Sequence, residues 1–229
     1  NINKSIYKMA FPYFKKKEIN SILSEYKKTL SGYGMLSMGE HVQKFETEFS
    51  NYIGCKFANV TSSCTGALEL SINILDLSEN DEVIVPCQTF FATASAVIRN
   101  RLKVKFCNID ENFSIDFDNL KKMITKKTKA IIIVHFAGLI QKNIFEIRNF
   151  CKKNKIFMIE DCAHALGASI NGLKAGNIGD IGCFSFYSTK NLTTGEGGMI
   201  TTNNSKFNML AKSLRSRGLN INLKKEIFN

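Results

Sequence analysis

The stretch Phe184-Ser185-Phe186-Tyr187-Ser188-Thr189-Lys190-Asn191, followed by Gly195-Glu196-Gly197-Gly198, reads as a buried aromatic strand that delivers one lysine into a glycine-rich turn. Most of the 31 basic residues belong on solvated faces. A flexible surface lysine is less expected between an apolar strand exit and such a turn. Upstream, the strand Ile156-Phe157-Met158-Ile159-Glu160 ends in Asp161. Two strand ends therefore offer one amine and one carboxylate, and in an open α/β sheet ligands sit outside the carboxyl ends of the strands. An amine that forms a Schiff base and a carboxylate that pairs with a pyridinium nitrogen are what pyridoxal 5′-phosphate (PLP) asks of a protein.

Working outward, strands and helices alternate along the chain. Gly54 precedes a short strand over 55–60, and Thr61-Ser62-Ser63-Cys64-Thr65-Gly66 opens a helix with apolar positions at Ala67, Leu68, Leu70, Ile72, Ile74 and Leu75. Further strands are expected at 82–86, 104–109, 130–136, 156–160, 181–185 and 199–202, and helices near 91–98, 117–124 and 144–154. This order predicts an α/β fold: a mostly parallel, mixed seven-stranded sheet with flanking helices. Loops rather than helices join the last strands, so one member should be antiparallel. Residues 13–50 read differently, as a helix (16–30), a glycine-containing loop (31–39) and a second helix (42–52). They predict an N-terminal helical arm, 1–53, packed on a cofactor domain spanning 54–229. No internal repeat or low-complexity linker interrupts the chain.

Composition narrows the function. The 229 residues, 44% apolar, suffice for one large or two small folded domains. No run approaches the roughly 18 apolar residues of a membrane helix, and Asn1-Ile2-Asn3-Lys4 leads into no signal-like stretch, so a soluble, cytoplasmic protein is expected. The cysteines at 55, 64, 87, 107, 151, 162 and 183 form no C-x-x-C pair and are odd in number. Reduced, mostly buried thiols fit better than a disulfide framework or a zinc site. Histidines stand only at 41, 135 and 164, without H-x-x-x-H spacing, and no metal centre is expected. The net charge of +11 is spread over Lys15-Lys16-Lys17, Lys121-Lys122, Lys126-Lys127, Lys152-Lys153 and Lys224-Lys225. Without an arginine-rich stripe or interleaved aromatics it points to solvated faces and anionic small molecules, not to nucleic acid or a membrane.

Each candidate residue has a plain structural reading beside the functional one. The hydroxyl-rich start of the helix at 61–66 suits a phosphate, through free amides and the helix dipole, but equally suits an ordinary Ser/Thr cap. The chain lacks G-x-G-x-x-G and G-K-[ST], which weakens NAD and ATP readings. A carboxylate at Asp161 would keep a pyridinium nitrogen protonated, because an opposite charge favours the charged form. His164 either hydrogen-bonds the cofactor, orients Asp161, or is a satisfied structural histidine. Phe90 or Phe91 would stack on a planar ring while the other packs in the core.

These residues resemble the DegT/DnrJ/StrS-type PLP-dependent sugar aminotransferases of fold type I. The resemblance runs through Gly39, Phe45-Glu46, Ser63-Cys64-Thr65-Gly66-Ala67-Leu68, Asp81-Glu82-Val83-Ile84-Val85-Pro86, Thr89-Phe90 and Ala92-Thr93. It continues through Thr128-Lys129-Ala130-Ile131, Glu160-Asp161-Cys162-Ala163-His164, Gly179-Asp180-Ile181-Gly182-Cys183-Phe184-Ser185-Phe186, Thr189-Lys190-Asn191 and Glu196-Gly197-Gly198. It implies that Lys190 attaches covalently to PLP, that Asp161 pairs with the pyridine nitrogen, and that Cys64, Thr65 and Ser185 hold the phosphate. It also implies that Phe90 stacks on the ring and that His164 sits beside the cofactor where relatives often carry Gln. The implied reaction moves an amino group from L-glutamate to a nucleotide-linked keto sugar, with Lys190 shuttling the proton. Lysine at 190, where a dehydrating branch carries histidine, favours transamination. The resemblance further implies a homodimer in the full-length form and a smaller C-terminal domain absent from this chain, which stops soon after Leu214-Arg215-Ser216-Arg217-Gly218. Two rivals stand beside this expectation: a catalytically incomplete PLP-fold fragment acting by binding only, and an NAD-dependent sugar-nucleotide enzyme.

Overall fold

Nine strands and seven α-helices make up the computed structural model, which describes residues 14–35, 37–216 and 218. In chain order the strands are β1 (Phe57–Thr61), β2 (Glu82–Pro86), β3 (Lys103–Cys107), β4 (Thr128–Val134), β5 (Phe157–Asp161), β6 (Ser169–Ile170), β7 (Leu173–Lys174), β8 (Ile181–Ser185) and β9 (Gly198–Thr202). The helices are α1 (Lys16–Lys28), α2 (Glu40–Ile53), α3 (Cys64–Ile74), α4 (Phe91–Arg99), α5 (Phe117–Met123), α6 (Ile144–Asn154) and α7 (Ser205–Leu214). Seven strands form one sheet in the order β1-β9-β8-β5-β4-β2-β3, while β6 and β7 pair as a separate small hairpin. Only β9 runs against its neighbours, pairing antiparallel with both β1 and β8. The expected sheet, with one antiparallel member, is the observed one.

The period of two in the central strands builds a core on each face. Along β4, Ala130 and Ile132 enter the cluster beneath α3, α4 and α7, whereas Ile131 and Ile133 enter the cluster beneath α5 and α6. Local chemistry starts and stops the helices. Ser63 Oγ accepts from the Gly66 amide at α3, Asp116 caps α5 and Asn204 caps α7. Gly54 ends α2 in the left-handed region that glycine adopts without strain.

The arm behaves as two unlike pieces. Helix α2 buries Phe49, Ser50 and Ile53 against the sheet, but α1 buries nothing among the described residues. Among the described residues, α2 packs on the sheet and α1 does not. The helix expected over 16–30 ends as α-helix at Lys28 and widens into a π-type turn, Thr29–Tyr33, where Gly32 takes a φ of 86°. The sequence reading also left out α7 and the β6–β7 hairpin, and it placed β3 and β4 one or two residues late. The first thirteen residues and the Lys224-Lys225 pair lie outside the described residues. The other lysine runs are exposed, as expected. Six cysteines are buried and Cys87 is exposed, all as free thiols. No described helix is long and apolar enough to cross a membrane.

Candidate active site

The topology brings the chemistry to one edge. Strands β4, β5 and β8 run parallel side by side, so their carboxyl ends place His135, Asp161 and Ser185 next to one another. Because β9 runs the other way, its first residue, Gly198, lies at the same edge, paired with Ser185 on one side and Thr61 on the other. The loop after β1 then opens α3 directly above Gly198. A β-carbon there would lie 2.4 Å from the Ser63 carbonyl, so only glycine lets strand and helix start approach this closely. Ser63 caps the helix, and the amides of Cys64 and Thr65, which have no partner within it, are left at its positive end. The cap and the anion-binding amides thus coexist.

Asp161 is buried and held from two sides. Thr93 Oγ1 donates to its Oδ2 at 2.8 Å, and the Ala163 amide donates to Oδ1 at 3.1 Å. The Cys64 thiol stands 4.0 Å from Oδ1. Burial pushes the carboxyl above its ordinary value, and the Thr93 and Ala163 hydrogen bonds pull it partly back. The residue that orients Asp161 is therefore Thr93, on α4, rather than His164.

Lys190 stands on a loop pinned at both ends. The Thr194 amide and Thr193 hydroxyl donate to the Phe186 carbonyl, the Phe186 amide donates to Gly197, and the Lys190 amide closes a turn on Tyr187. Of the candidates taken from the sequence, Cys64, Thr65, Phe90, Asp161, His164, Ser185 and Lys190 line one cavity of about 480 Å³. Lys190, His164 and Ser185 also line a second cavity of about 270 Å³, so the lysine is approached from two sides. His164 is exposed, with its ring edge-on to Phe136 at 6.4 Å between centroids. Partial burial and then the Lys190 charge lower its pKa, favouring the neutral imidazole. The expectation that one of Phe90 and Phe91 packs in the core is overturned: they are 66% and 70% exposed and lean on each other at 4.4 Å. Of the two, only Phe90 reaches the cavity.

Behind the cavity lies a polar cluster that sequence reasoning missed. Glu160, turned to the opposite face from Asp161, is fully buried. It accepts from the amides of Ile178 and Gly179 on one oxygen and from Gly176 and His135 Nε2 on the other, at 2.6–2.9 Å. The Gln141 amide donates to His135 Nδ1, which assigns the imidazole proton to Nε2. His135, Glu160 and Cys162 lie within metal-ligating distance of one another, but both Glu160 oxygens are already taken by these donors. The only sequence signal was an acid beside Asp161 and a Gly-x-x-Gly spacing at 176–179.

The donor set at the cavity suits a planar, cationic heterocycle carrying a phosphate. It combines a buried carboxylate, a free amine, an aromatic ring at the rim, and a glycine-tightened helix start rich in hydroxyls. Comparison with known proteins agrees. Residues 16–228 match the model of the DegT/DnrJ/EryC1/StrS aminotransferase family. An uncharacterized protein of Methanocaldococcus jannaschii is 43% identical over 209 residues, covering 91% of this chain and 53% of the relative. GDP-perosamine synthase of Vibrio cholerae is 38% identical over 168 residues, covering 73% and 46%. Among solved structures, E. coli GDP-4-keto-6-deoxy-D-mannose-3-dehydratase with bound hydrated PLP superposes with a TM-score of 0.86 at 32% identity, covering 95% of this chain and 56% of that one. The chain spans about half the length of the curated relatives it matches.

Proposed function

The chain belongs to the DegT/DnrJ/EryC1/StrS aminotransferase family, and from that premise we propose that it carries the cofactor-binding part of a PLP-dependent sugar-nucleotide aminotransferase. The observation that carries the reading is the meeting of Lys190, Asp161 and the α3 start in one cavity at the carboxyl edge of the sheet. When bound, PLP supplies an electron-withdrawing ring that stabilises negative charge at a substrate carbon. The protein's part is to bind, orient and move protons. The Asp161 carboxylate, fixed by Thr93 and Ala163, would pair with the ring nitrogen and favour its protonated form. Amides and hydroxyls at Cys64, Thr65 and Ser185 would hold the phosphate, with the helix dipole adding to the attraction. Phe90 and neutral His164, both lining the cavity, would stack on the ring and hydrogen-bond it, respectively. Lys190 Nζ would hold the cofactor and, when its amine is free, would take and return the proton at the substrate's amine-bearing carbon.

The relatives include enzymes named for GDP-perosamine synthesis and for UDP-linked amino sugars. We therefore assign L-glutamate as amino donor and a nucleotide-linked keto sugar as acceptor. The assignment extends to an arm over 1–53, a cofactor domain over 54–229, and a cytoplasmic homodimer as the working form, with no nucleic-acid or membrane partner.

The test is the visible absorption spectrum of the purified chain with added PLP, before and after L-glutamate, beside Lys190→Ala. A protein-bound band that bleaches with glutamate and is missing from the variant is expected. A band that persists through glutamate would leave binding without transamination. No band from a folded wild type would remove the cofactor reading for this chain.

A further inference from the structure

The Thr93 hydroxyl that fixes Asp161 is itself paired with a second hydroxyl, Thr89, which has no part in the reading above. Thr93 is fully buried in the first turn of α4, in a wall whose other members, Ala92, Ala96 and Val97, are apolar. Its Oγ1 donates to Asp161 Oδ2 at 2.8 Å and lies 2.7 Å from Thr89 Oγ1. A threonine hydroxyl owns one proton. With Asp161 ionised, the Thr93 proton is committed to the carboxylate, so Thr89 must be the donor in the Thr89–Thr93 bond. Thr89 itself lines the cavity, and its oxygen then keeps acceptor capacity toward the cavity. With Asp161 protonated the order reverses: the carboxyl donates to Thr93, Thr93 donates to Thr89, and the Thr89 proton turns outward.

We propose that Thr89 and Thr93 are positioning residues that form a directional hydroxyl pair, fixing the ionised Asp161 carboxylate in one orientation and presenting its charge state at the cavity wall as an acceptor. The inference rests on the reading of Asp161 as the anchor of a cationic ring nitrogen. A buried hydroxyl in an apolar wall costs stability unless it is paired, and a valine of the same shape would pack there equally well. The pairing thus gives the hydroxyl a purpose that packing does not. Other groups facing Asp161 are the Cys64 thiol from α3, Cys162 and His164 from its own loop, His135 from the end of β4, and Cys183 from β8. Lys190 and Glu196 are the remaining charged groups of the cavity. Burial keeps the three thiols protonated, so none competes with Asp161 for the role of anion.

The test compares Thr93→Val, Thr93→Ser and Thr89→Val in the 229-residue chain. Asp161 is titrated by carboxyl carbon NMR without cofactor, and PLP affinity is then measured by absorbance across pH. Thr93→Val should raise the Asp161 midpoint by about one unit, tenfold in proton affinity, and weaken PLP binding about tenfold at neutral pH. Thr93→Ser should restore both, and Thr89→Val should shift the midpoint less, in the same direction. An unchanged midpoint in Thr93→Val, or a serine variant as displaced as the valine one, would overturn the proposal. Should Thr93→Val fail to fold by its amide spectrum, Thr89→Val decides, and an unchanged midpoint there overturns it. Shifted midpoints with no PLP binding by any chain, wild type included, would sink the cofactor reading while leaving the hydroxyl pair standing.

Discussion

Glu160 and Asp161 are adjacent carboxyls, both buried, with opposite titration behaviour. Burial raises both, but the His135 hydrogen bond, with the Gly179 and Gly176 amides, brings Glu160 below its ordinary value of 4.5. Asp161, with two good donors, stays above its ordinary 3.8. For Glu160, the depressed case, the stabilisation is present above pH 4.5 and lost as pH falls through the lower folded value. For Asp161, the raised case, it is present below pH 3.8 and lost as pH rises through the higher folded value. Glu160→Gln should therefore cost about 3 kcal/mol at pH 7, because an amide meets donors that need an acceptor. It should also flatten the acid limb of the stability curve. Asp161→Asn should instead leave the cofactor-free chain at pH 7 more stable by about 0.5–2 kcal/mol, as expected where a site holds strain for function. Urea unfolding of the two variants at pH 7 and pH 4 checks both signs, and a loss of stability in Asp161→Asn would contradict the second. Asp161 and Lys190 were legible because a charged residue at the end of an apolar run is a local pattern. The partners Thr93, His135 and the 176–179 amides were not, because only the folded sheet brings those segments together.

The start of α3 depends on a strand about 135 residues away in sequence. Gly198 begins β9, and its missing side chain is what lets the Ser63 carbonyl and Cys64 amide sit against the sheet. Gly198→Ala should cost about 1–3 kcal/mol, because the new methyl meets backbone rather than a yielding side chain. Displacing the helix start should also weaken binding of inorganic phosphate. Thermal unfolding with and without phosphate measures the two together, and an alanine variant that melts like wild type with unchanged phosphate stabilisation would show that the approach is not this tight. The hydroxyl-rich segment at 61–66 announced the helix start, but its tightness against Gly198 is a long-range fact. Helix α7 was missed for the opposite reason. The polar pair Asn203-Asn204 after the expected strand 199–202 does not announce a helix until Asn204 is seen accepting from the Lys206 and Phe207 amides. Only its packing then shows Phe207 and Ala211 to be core residues.

At the scale of the whole molecule, the two helices of the arm have separate relations to the site. Helix α2 inserts Phe49 against Phe184 and Phe186, with ring centroids 5.0 and 5.5 Å apart, and Phe45 meets Phe186 at 5.2 Å. Those phenylalanines lie in and just beyond β8, in the segment that leads to Lys190, so α2 buttresses the loop that presents the amine. Helix α1 carries Ile19, Ile22, Leu23 and Tyr26 at helical spacing, all exposed, and none enters a core cluster. The sequence showed two helices in the arm; it did not show which one had a partner, because periodicity reports a face and not what covers it. Phe49→Ala should therefore cost about 3–5 kcal/mol, the range for emptying a buried aromatic site. Ile22→Gln should stay within about 0.5 kcal/mol of wild type, as for an exposed position. Urea unfolding with added PLP extends the comparison to the site. If α2 supports the Lys190 loop, Phe49→Ala loses PLP affinity even in conditions where the chain remains folded, while Ile22→Gln keeps it. Equal affinities in the two folded variants would separate the arm from the chemistry and leave α2 a role in stability alone.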